Sequence, residues 1–165
     1  MNFITLLVGR LKKLEINRMK HKYISKNIDD TVRFARLLSS ELIAKDIICL
    51  SGELGTGKTV IAKEISKYFK VRSEVISPTF NILKIYDTSD KLIKHIYHYD
   101  LYRLKSKQEL IDIGFEEYIL YKDIIHIIEW PDIAIPLLQA PYHNVIINYD
   151  INNTNNRIIN YEKIN

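Results

Sequence analysis

One octapeptide constrains this chain more than any other feature. Residues 52–59 read GELGTGKT and match the pattern G-x-x-x-x-G-K-[ST]. The chain has only five glycines, and three of them lie within the first six residues of this segment. A short apolar run at 47–50 precedes the octapeptide, and apolar residues at helical spacing follow it. A strand, a glycine-rich loop and a helix in this order predict an α/β fold that binds a phosphate group at the start of the helix.

The residue types of the loop suit the binding of a phosphorylated ligand. Glycines let consecutive backbone amides curve around an anion without clashing side chains. We expect Lys58 to reach the β- and γ-phosphates and the Thr59 hydroxyl to bind Mg²⁺. The plain alternative is a glycine-rich turn that only caps a helix.

A second apolar run ends in an acidic residue. Residues 124–129 read IIHIIE, which predicts a buried strand that places Glu129 at its carboxyl end. A carboxylate there could hold Mg²⁺ or its waters, since open α/β sheets bind ligands at the carboxyl ends of their strands. The alternative is a solvated glutamate. Trp130, the only tryptophan, either packs against this site, responds to nucleotide, or belongs to the core.

The segment HYDLYR at 98–103 carries a third group of candidates. Asp100 is suited to orient an attacking water, to act as a base, or to bind a metal indirectly. Arg103 is suited to pair with a carboxylate or with phosphate, and a structural Asp–Arg pair is the alternative. If the strand continues that far, His98, Asp100 and Tyr102 share one face, and Tyr99, Leu101 and Arg103 share the other.

The segment SPTF at 77–80 predicts a loop that enters a strand. The hydroxyl groups of Ser77 and Thr79 are suited to sense a γ-phosphate. A plain turn is the alternative.

The remaining pattern predicts one α/β domain with a partly parallel, partly antiparallel sheet between helices. Ile61, Ile65, Tyr68 and Phe69 fall on one face of the helix after the loop. The predicted elements are a helix at 29–44, a strand at 47–50, strands at 80–86 and 92–99 joined by a turn at 87–91, a helix at 106–121 interrupted at Gly114, a strand at 124–128, and strands at 143–149 and 157–161 around a turn at 152–156.

Composition narrows the function classes only slightly. Lysine and arginine exceed aspartate and glutamate by 24 to 20, but no block of five or six like charges appears. The net charge of +4 therefore argues weakly for nucleic-acid binding. Cys49 is the only cysteine, which excludes an intramolecular disulfide framework and suits a core position in a reducing compartment.

The first residues predict an extension to the domain. Their apolar run, from Phe3 to Val8, is far shorter than the ~20 residues of a membrane span. Basic residues follow the run, whereas in a secretory signal they precede it. We expect residues 1–21 to be dispensable, with Met19 as an alternative start, and residues 22–165 to form the P-loop domain of a cytoplasmic protein.

Four segments in this order resemble the TsaE family, the bacterial ATPases of tRNA threonylcarbamoyladenosine synthesis. They are GELGTGKT at 52–59, SPTF at 77–80, HYDLYR at 98–103 and EWP at 129–131, and the resemblance extends from about residue 24 to about residue 150. It implies a P-loop NTPase-like fold that binds ATP and Mg²⁺ and hydrolyses ATP weakly when alone. It also implies action with the TsaB and TsaD proteins, which modify the tRNA adenosine beside the anticodon.

The resemblance further implies that hydrolysis resets this complex between rounds, and that the chain is not itself the transferase. Contact with tRNA would be indirect, no membrane would be involved, and the free protein would be a monomer. It assigns catalysis to Lys58, Asp100 and Glu129, the metal to Thr59 and Glu129, and ATP contacts to Glu53, Leu54, Gly55, Thr56, Gly57, Lys58, Thr59, Val60, Thr31, Thr79 and Trp130.

Two other functions remain open. A small-molecule P-loop kinase needs a lid with catalytic arginines, and of the seven arginines here only Arg103 lies in a motif. A nucleotide-switched binding module would also show slow hydrolysis. Turnover that a partner stimulates would favour the coupled ATPase.

Overall fold

A mixed sheet organises the part of the chain that this computed structural model describes, residues 21–139 and 141–165. Its strand order is β1-β7-β6-β2-β5-β4-β3. β2 pairs in parallel with β5 and β6, β4 pairs in parallel with β5, and the other neighbours are antiparallel. The strands are β1 (His21–Ser25), β2 (Ile47–Ser51), β3 (Leu83–Asp87), β4 (His95–Asp100), β5 (Ile124–Glu129), β6 (Tyr142–Asp150) and β7 (Asn153–Ile164).

Helices cover both faces of the sheet. On one face α1 and α2 pack with Ile48 and Leu50 of β2, and on the other α3 and α4 pack with Ile47 and Cys49. Successive side chains of β2 thus point to opposite faces of the sheet, and helices cover both faces. Each side chain of the run at 47–50 is therefore buried, which explains why the run is apolar throughout. The helices are α1 (Ile28–Ser39), α2 (Lys58–Tyr68), α3 (Lys107–Asp112) and α4 (Phe115–Tyr118), followed by 3-10 turns at Pro131–Ile133 and Ile135–Leu137.

The predicted fold class is confirmed, but several boundaries differ. The first helix ends at Ser39 rather than at 44. The hydroxyl of Ser39 donates to the Ala35 carbonyl and that of Ser40 donates to the Leu37 carbonyl, each at 2.7 Å. Serine side chains that compete for backbone carbonyls in this way favour a helix end. Leu42 is still buried, in the turn that follows.

The predicted hairpin is confirmed as an antiparallel pair, with both strands starting three residues late. The backbone amides of Asn81 and Ile82 donate to the Pro78 carbonyl at 2.8 and 2.7 Å. Ile82 also has a φ of 62°, in the left-handed region. Residues 78–82 therefore form a turn, and β3 begins only after it.

Three smaller predictions concern single positions, and one of them is confirmed. Tyr68 is 46% exposed, so it does not share the buried face of α2. The break at Gly114 is confirmed, with a φ of 81°. The turn before β7 is shorter than predicted, since β7 already begins at Asn153.

The strand β1 is missing from the predicted elements. It is held by pairing with β7 rather than by its own pattern, and only its last residue, Ser25, is buried. His21 belongs to this strand and not to the predicted extension; residues 1–20, with the alternative start Met19, lie outside the described residues. Within the described residues, no helix has the length and apolar character needed to cross a lipid bilayer.

A buried histidine in β5 makes the fold sensitive to acid. The ring of His126 packs between Tyr97 and Tyr99, at centroid distances of 5.5 and 6.0 Å. Neither ring nitrogen has a partner among the described residues. Burial lowers the pKa of His126 to about 4, because the interior disfavours the charged ring.

We expect wild-type stability to fall as the pH drops below about 6.5, since the unfolded chain then binds a proton that the folded chain refuses. The loss continues until the pH reaches about 4, the folded-state pKa. For this shift the loss at about pH 5 is about 2 kcal/mol. Urea unfolding at several pH values should show a weaker pH dependence for His126→Leu. His95→Leu, on a partly exposed ring, is the control, and equal pH dependence in all three proteins would contradict the prediction.

Candidate nucleotide-binding site

The loop at 52–57 joins β2 to α2, and its glycines adopt conformations that other residues avoid. The φ values of Gly52, Gly55 and Gly57 are 143°, 78° and 113°. Gly57 also caps the start of α2 without a side-chain hydrogen bond within the described chain. The first amides of α2 are therefore available to an anion, as the phosphate-loop motif requires.

The base of the loop lies directly against β6. A Cβ atom at Gly52 would lie 2.2 Å from the Ile147 carbonyl oxygen. Higher in the loop, the Tyr149 hydroxyl donates to the Leu54 carbonyl at 3.1 Å. The side chain of Leu54 itself is 80% exposed, so only its backbone faces the protein. Contacts with β6 thus fix the position of the loop at both points.

Lys58 is buried at the first position of α2. Its Nζ donates to the carbonyls of Gly52 and Glu53 at 2.7 and 2.9 Å. It also lies 3.9 Å from the centre of the Trp130 ring, a cation–π contact. Burial lowers the pKa of Lys58, and the charges of Glu129 and Asp100 partly oppose that shift.

The structure brings Thr59 and Glu129 together. The Thr59 hydroxyl lies 3.0 Å from Oε1 and 3.2 Å from Oε2 of the carboxylate. Glu129 is the last residue of β5 and pairs in register with Leu50 and Asp100. Three parallel strands therefore end side by side at the start of α2.

Asp100 is held by the loop at 77–80. Its Oδ2 accepts hydrogen bonds from the hydroxyls of Ser77 and Thr79, both at 2.7 Å. Its Oδ1 accepts one from the Tyr102 amide at 3.1 Å. The buried carboxylate is thus engaged through both of its oxygens.

The end of the HYDLYR segment departs from the alternation expected for a strand. β4 stops at Asp100, and Tyr102 is 60% exposed with its ring 5.0 Å from that of Trp130. Arg103 lies over the exposed ring of Phe80 at 4.5 Å. Within the described part of the chain, no ion pair joins it to Asp100.

Trp130 is held in a backbone conformation that is rare outside glycine. Its φ is 57°, and its amide donates to the Leu50 carbonyl at 3.1 Å. The ring contacts both Lys58 and Tyr102. Residues forced into this region are typical of functional sites, where the surrounding structure offsets the strain.

A cavity of about 180 Å³ lies beside the loop. Thr31, Val60 and Arg157 are among its lining residues, and Thr31 lies 2.8 Å from the Ser25 hydroxyl. Arg157 is absent from the predicted site residues, because an arginine in an asparagine-rich tail carries no motif. Its guanidinium lies over the ring of Tyr149 at 4.2 Å.

The oxygen donors of the site suit Mg²⁺ in one specific way. No group of three or more histidine, cysteine, aspartate or glutamate side chains within the described residues could enclose a metal. Mg²⁺ usually takes one or two carboxylates and completes its shell with waters and phosphate oxygens. The Thr59 hydroxyl and the Glu129 carboxylate fit that pattern if a phosphorylated ligand is bound.

Comparison with known proteins gives a consistent result. A protein from Rickettsia felis is 43% identical over 136 residues, covering 82% of this chain and 75% of that protein. Its counterpart from Rickettsia typhi is 42% identical and covers 82% of this chain and 90% of its own. A Nostoc protein is 30% identical, with 84% of each chain covered. All three are named tRNA threonylcarbamoyladenosine biosynthesis protein TsaE.

A solved structure supports the fold. The crystal structure of YdiB from Bacillus subtilis matches with a TM-score of 0.70 and 22% identity, over 90% of each chain. The family model described as threonylcarbamoyl adenosine biosynthesis protein TsaE matches residues 25–159, which include every site residue described above. On this match and on the identities to its relatives, the chain belongs to the TsaE family.

Proposed function

We propose that this chain is a Mg²⁺-dependent ATPase that supports a TsaB–TsaD pair in the threonylcarbamoylation of tRNA. The observation that supports ATP hydrolysis is the contact of the Thr59 hydroxyl with the Glu129 carboxylate beside the phosphate loop. The tRNA pathway follows from the names of the relatives. The TsaB–TsaD pair, the adenosine beside the anticodon as target, a cytoplasmic location and a resetting role for hydrolysis follow from the family resemblance.

Phosphate binding would replace contacts that the loop makes with Lys58. Lys58 now donates to two loop carbonyls, and an ATP phosphate oxygen is a stronger, charged acceptor. Its Nζ would therefore turn from the carbonyls to the β- and γ-phosphates. The first amides of α2 would donate to the same phosphates, and the helix dipole would add to the attraction.

The metal would be held by Thr59 and Glu129. Bound Mg²⁺ would neutralise charge on the β- and γ-phosphates. The Thr59 hydroxyl would turn an oxygen lone pair toward the ion, and the carboxylate would bind the ion directly or through water. Both groups are already within hydrogen-bond distance of each other, so little rearrangement is needed.

Asp100 is the candidate for orienting the attacking water. Its Oδ2 is occupied by the hydroxyls of Ser77 and Thr79, so in this state the carboxylate is poorly placed to accept a proton. Movement of the 77–80 loop would free it. Phe80, which is 84% exposed at the end of this loop, offers a partner protein a point of contact. This arrangement is consistent with the proposal that hydrolysis is weak alone and faster in a complex.

The cavity beside the loop is the candidate site for the nucleoside. It lies between the start of α1 and the loop, with Thr31 and Val60 on its walls. Arg157 lines the same cavity, and its planar guanidinium is suited to stack on a base or to meet a phosphate.

The kinase alternative gains no support from Arg103, the one arginine in a motif, because its guanidinium lies over the Phe80 ring. The hydrogen bonds that Ser77 and Thr79 donate to Asp100 are also consistent with a nucleotide-switched binding module. Turnover distinguishes that module from the coupled ATPase, because only the latter requires hydrolysis to be stimulated by its partners.

Phosphate release from Mg-ATP, measured with and without the TsaB–TsaD pair, tests the proposal. We expect slow release by the chain alone and faster release with the pair. Glu129→Ala should lower turnover by at least about 100-fold, because even outer partners of a metal ligand cost roughly 10- to 100-fold. Its affinity for ATP in the absence of Mg²⁺ should change little.

Glu116→Ala, which removes an exposed carboxylate from α4, is the matched control. Release that the pair does not stimulate would refute the partner assignment. Full turnover by Glu129→Ala would place the metal carboxylate elsewhere, with Asp100 as the next candidate.

A further inference from the structure

A second buried polar side chain contacts the candidate metal ligand. His98 has no solvent exposure and lies on β4, on the same face as Asp100. Its Nε2 lies 2.9 Å from Oε1 of Glu129. The carboxylate is itself only 3% exposed, so water contributes little to its solvation.

The surroundings of the ring indicate which nitrogen carries the proton. Nδ1 of His98 is buried and has no hydrogen-bond partner in the described part of the chain. A proton on Nδ1 would be a buried donor without an acceptor, which costs free energy. The unprotonated Nε2 would then face the carboxylate with no hydrogen to donate. A proton on Nε2 satisfies the contact, so Nε2 donates to Oε1.

We infer that His98 is a positioning residue for Glu129 in Mg²⁺ binding, an inference that rests on the proposed function. Oε1 receives hydrogen bonds from His98 on one strand and from Thr59 on the helix. Two donors on different elements fix the torsion of the carboxylate, which leaves Oε2 as the less engaged oxygen. Hydrogen bonds of this kind orient metal ligands in proteins generally.

The neighbours that pack around His98 do not require an imidazole at this position. Its strand neighbours in register are Lys84 on β3 and Ile127 on β5, and backbone pairing already joins these strands. The Tyr86 ring lies 6.5 Å away, centre to centre. A phenylalanine would fill a similar space without the cost of burying an imidazole. The contact with Glu129 is what the imidazole adds.

Two substitutions separate positioning from packing. His98→Gln keeps an amide donor on a side chain of similar reach, and His98→Phe keeps a ring but has no donor. The experiment measures binding of a fluorescent, non-hydrolysable ATP analogue, first in EDTA and then with increasing Mg²⁺. Melting temperatures are recorded for each variant, and His95→Phe, on the same strand but partly exposed, is the control.

We expect His98→Phe to raise the half-saturating Mg²⁺ concentration by about 10- to 100-fold, the range for outer partners of metal ligands. The affinity for the analogue in EDTA should be unchanged, and His98→Gln should bind Mg²⁺ almost as wild type does. Normal Mg²⁺ binding by His98→Phe would overturn the inference. Equal losses in both variants, accompanied by lower melting temperatures and weaker binding in EDTA, would also overturn it and assign His98 a structural role.

The same data distinguish this inference from the proposed function. If Mg²⁺ has no effect on the wild-type protein, or if Glu129→Ala responds to Mg²⁺ normally, the metal assignment fails and the role of His98 fails with it. If wild type and Glu129→Ala behave as expected and His98→Phe matches wild type, only the positioning role fails.

Discussion

Lys58→Ala is expected to weaken ATP binding by about 10- to 100-fold, since a hydrogen bond to a charged group contributes about 1.5–3 kcal/mol. Hydrolysis should fall further, because losing one donor that stabilises developing charge costs about 10²–10³ in turnover. The physical reason is the position of Nζ, which is already buried at the mouth of the loop and within 2.9 Å of two carbonyls that ATP would displace.

The measurement is displacement of a fluorescent ATP analogue, together with phosphate release. Lys63→Ala removes an exposed lysine from the same helix and controls for the change in net charge. Lys58→Met keeps an unbranched aliphatic side chain at this buried position and controls for the space that the truncation to alanine leaves. Wild-type affinity for ATP in Lys58→Ala would refute the assignment of the phosphate loop.

Gly52→Ala should be the most destabilising single substitution in the loop. The added Cβ would lie 2.2 Å from the Ile147 carbonyl oxygen, so the loop or β6 must move. The φ of 143° adds backbone strain. Strain of this kind costs about 1–3 kcal/mol and overpacking a similar amount, so we expect a loss of about 3 kcal/mol or more in the free energy of unfolding.

Urea unfolding without nucleotide measures this loss. Gly114→Ala is the matched control, because its φ of 81° is also in the left-handed region but its nearest contact is an ordinary 3.6 Å from the Tyr118 ring. The control should lose only the part due to strain. Equal urea midpoints for Gly52→Ala and Gly114→Ala would show that the close approach of the added Cβ to the Ile147 carbonyl does not lower stability.

Local patterns predicted the centre of the fold well. The strand at 47–50, the loop and the following helix are set by neighbouring residues: a run buried on both faces, glycines where φ is positive, and apolar residues at helical spacing. The break at Gly114 has a similarly local cause.

Features that depend on distant residues were harder to predict. β1 is fixed by its pairing with β7, and Arg157 reaches the cavity only because β7 lies next to β6. The hydrogen bonds from Ser77 and Thr79 to Asp100 likewise arise from the turn at 78–82, which has its own backbone hydrogen bonds. Nothing in the residue types at these positions specifies the partner.

The strand order also has a consequence for protein synthesis. The chain leaves the ribosome from its N-terminus, so β1 and β2 emerge before the strands that flank them in the sheet, β7, β6 and β5. The backbone of Ile147, against which Gly52 rests, is made long after the loop itself. A nascent chain stalled before β6 would therefore lack the support that shapes the loop, and the proposed ATP binding would begin only near the end of translation.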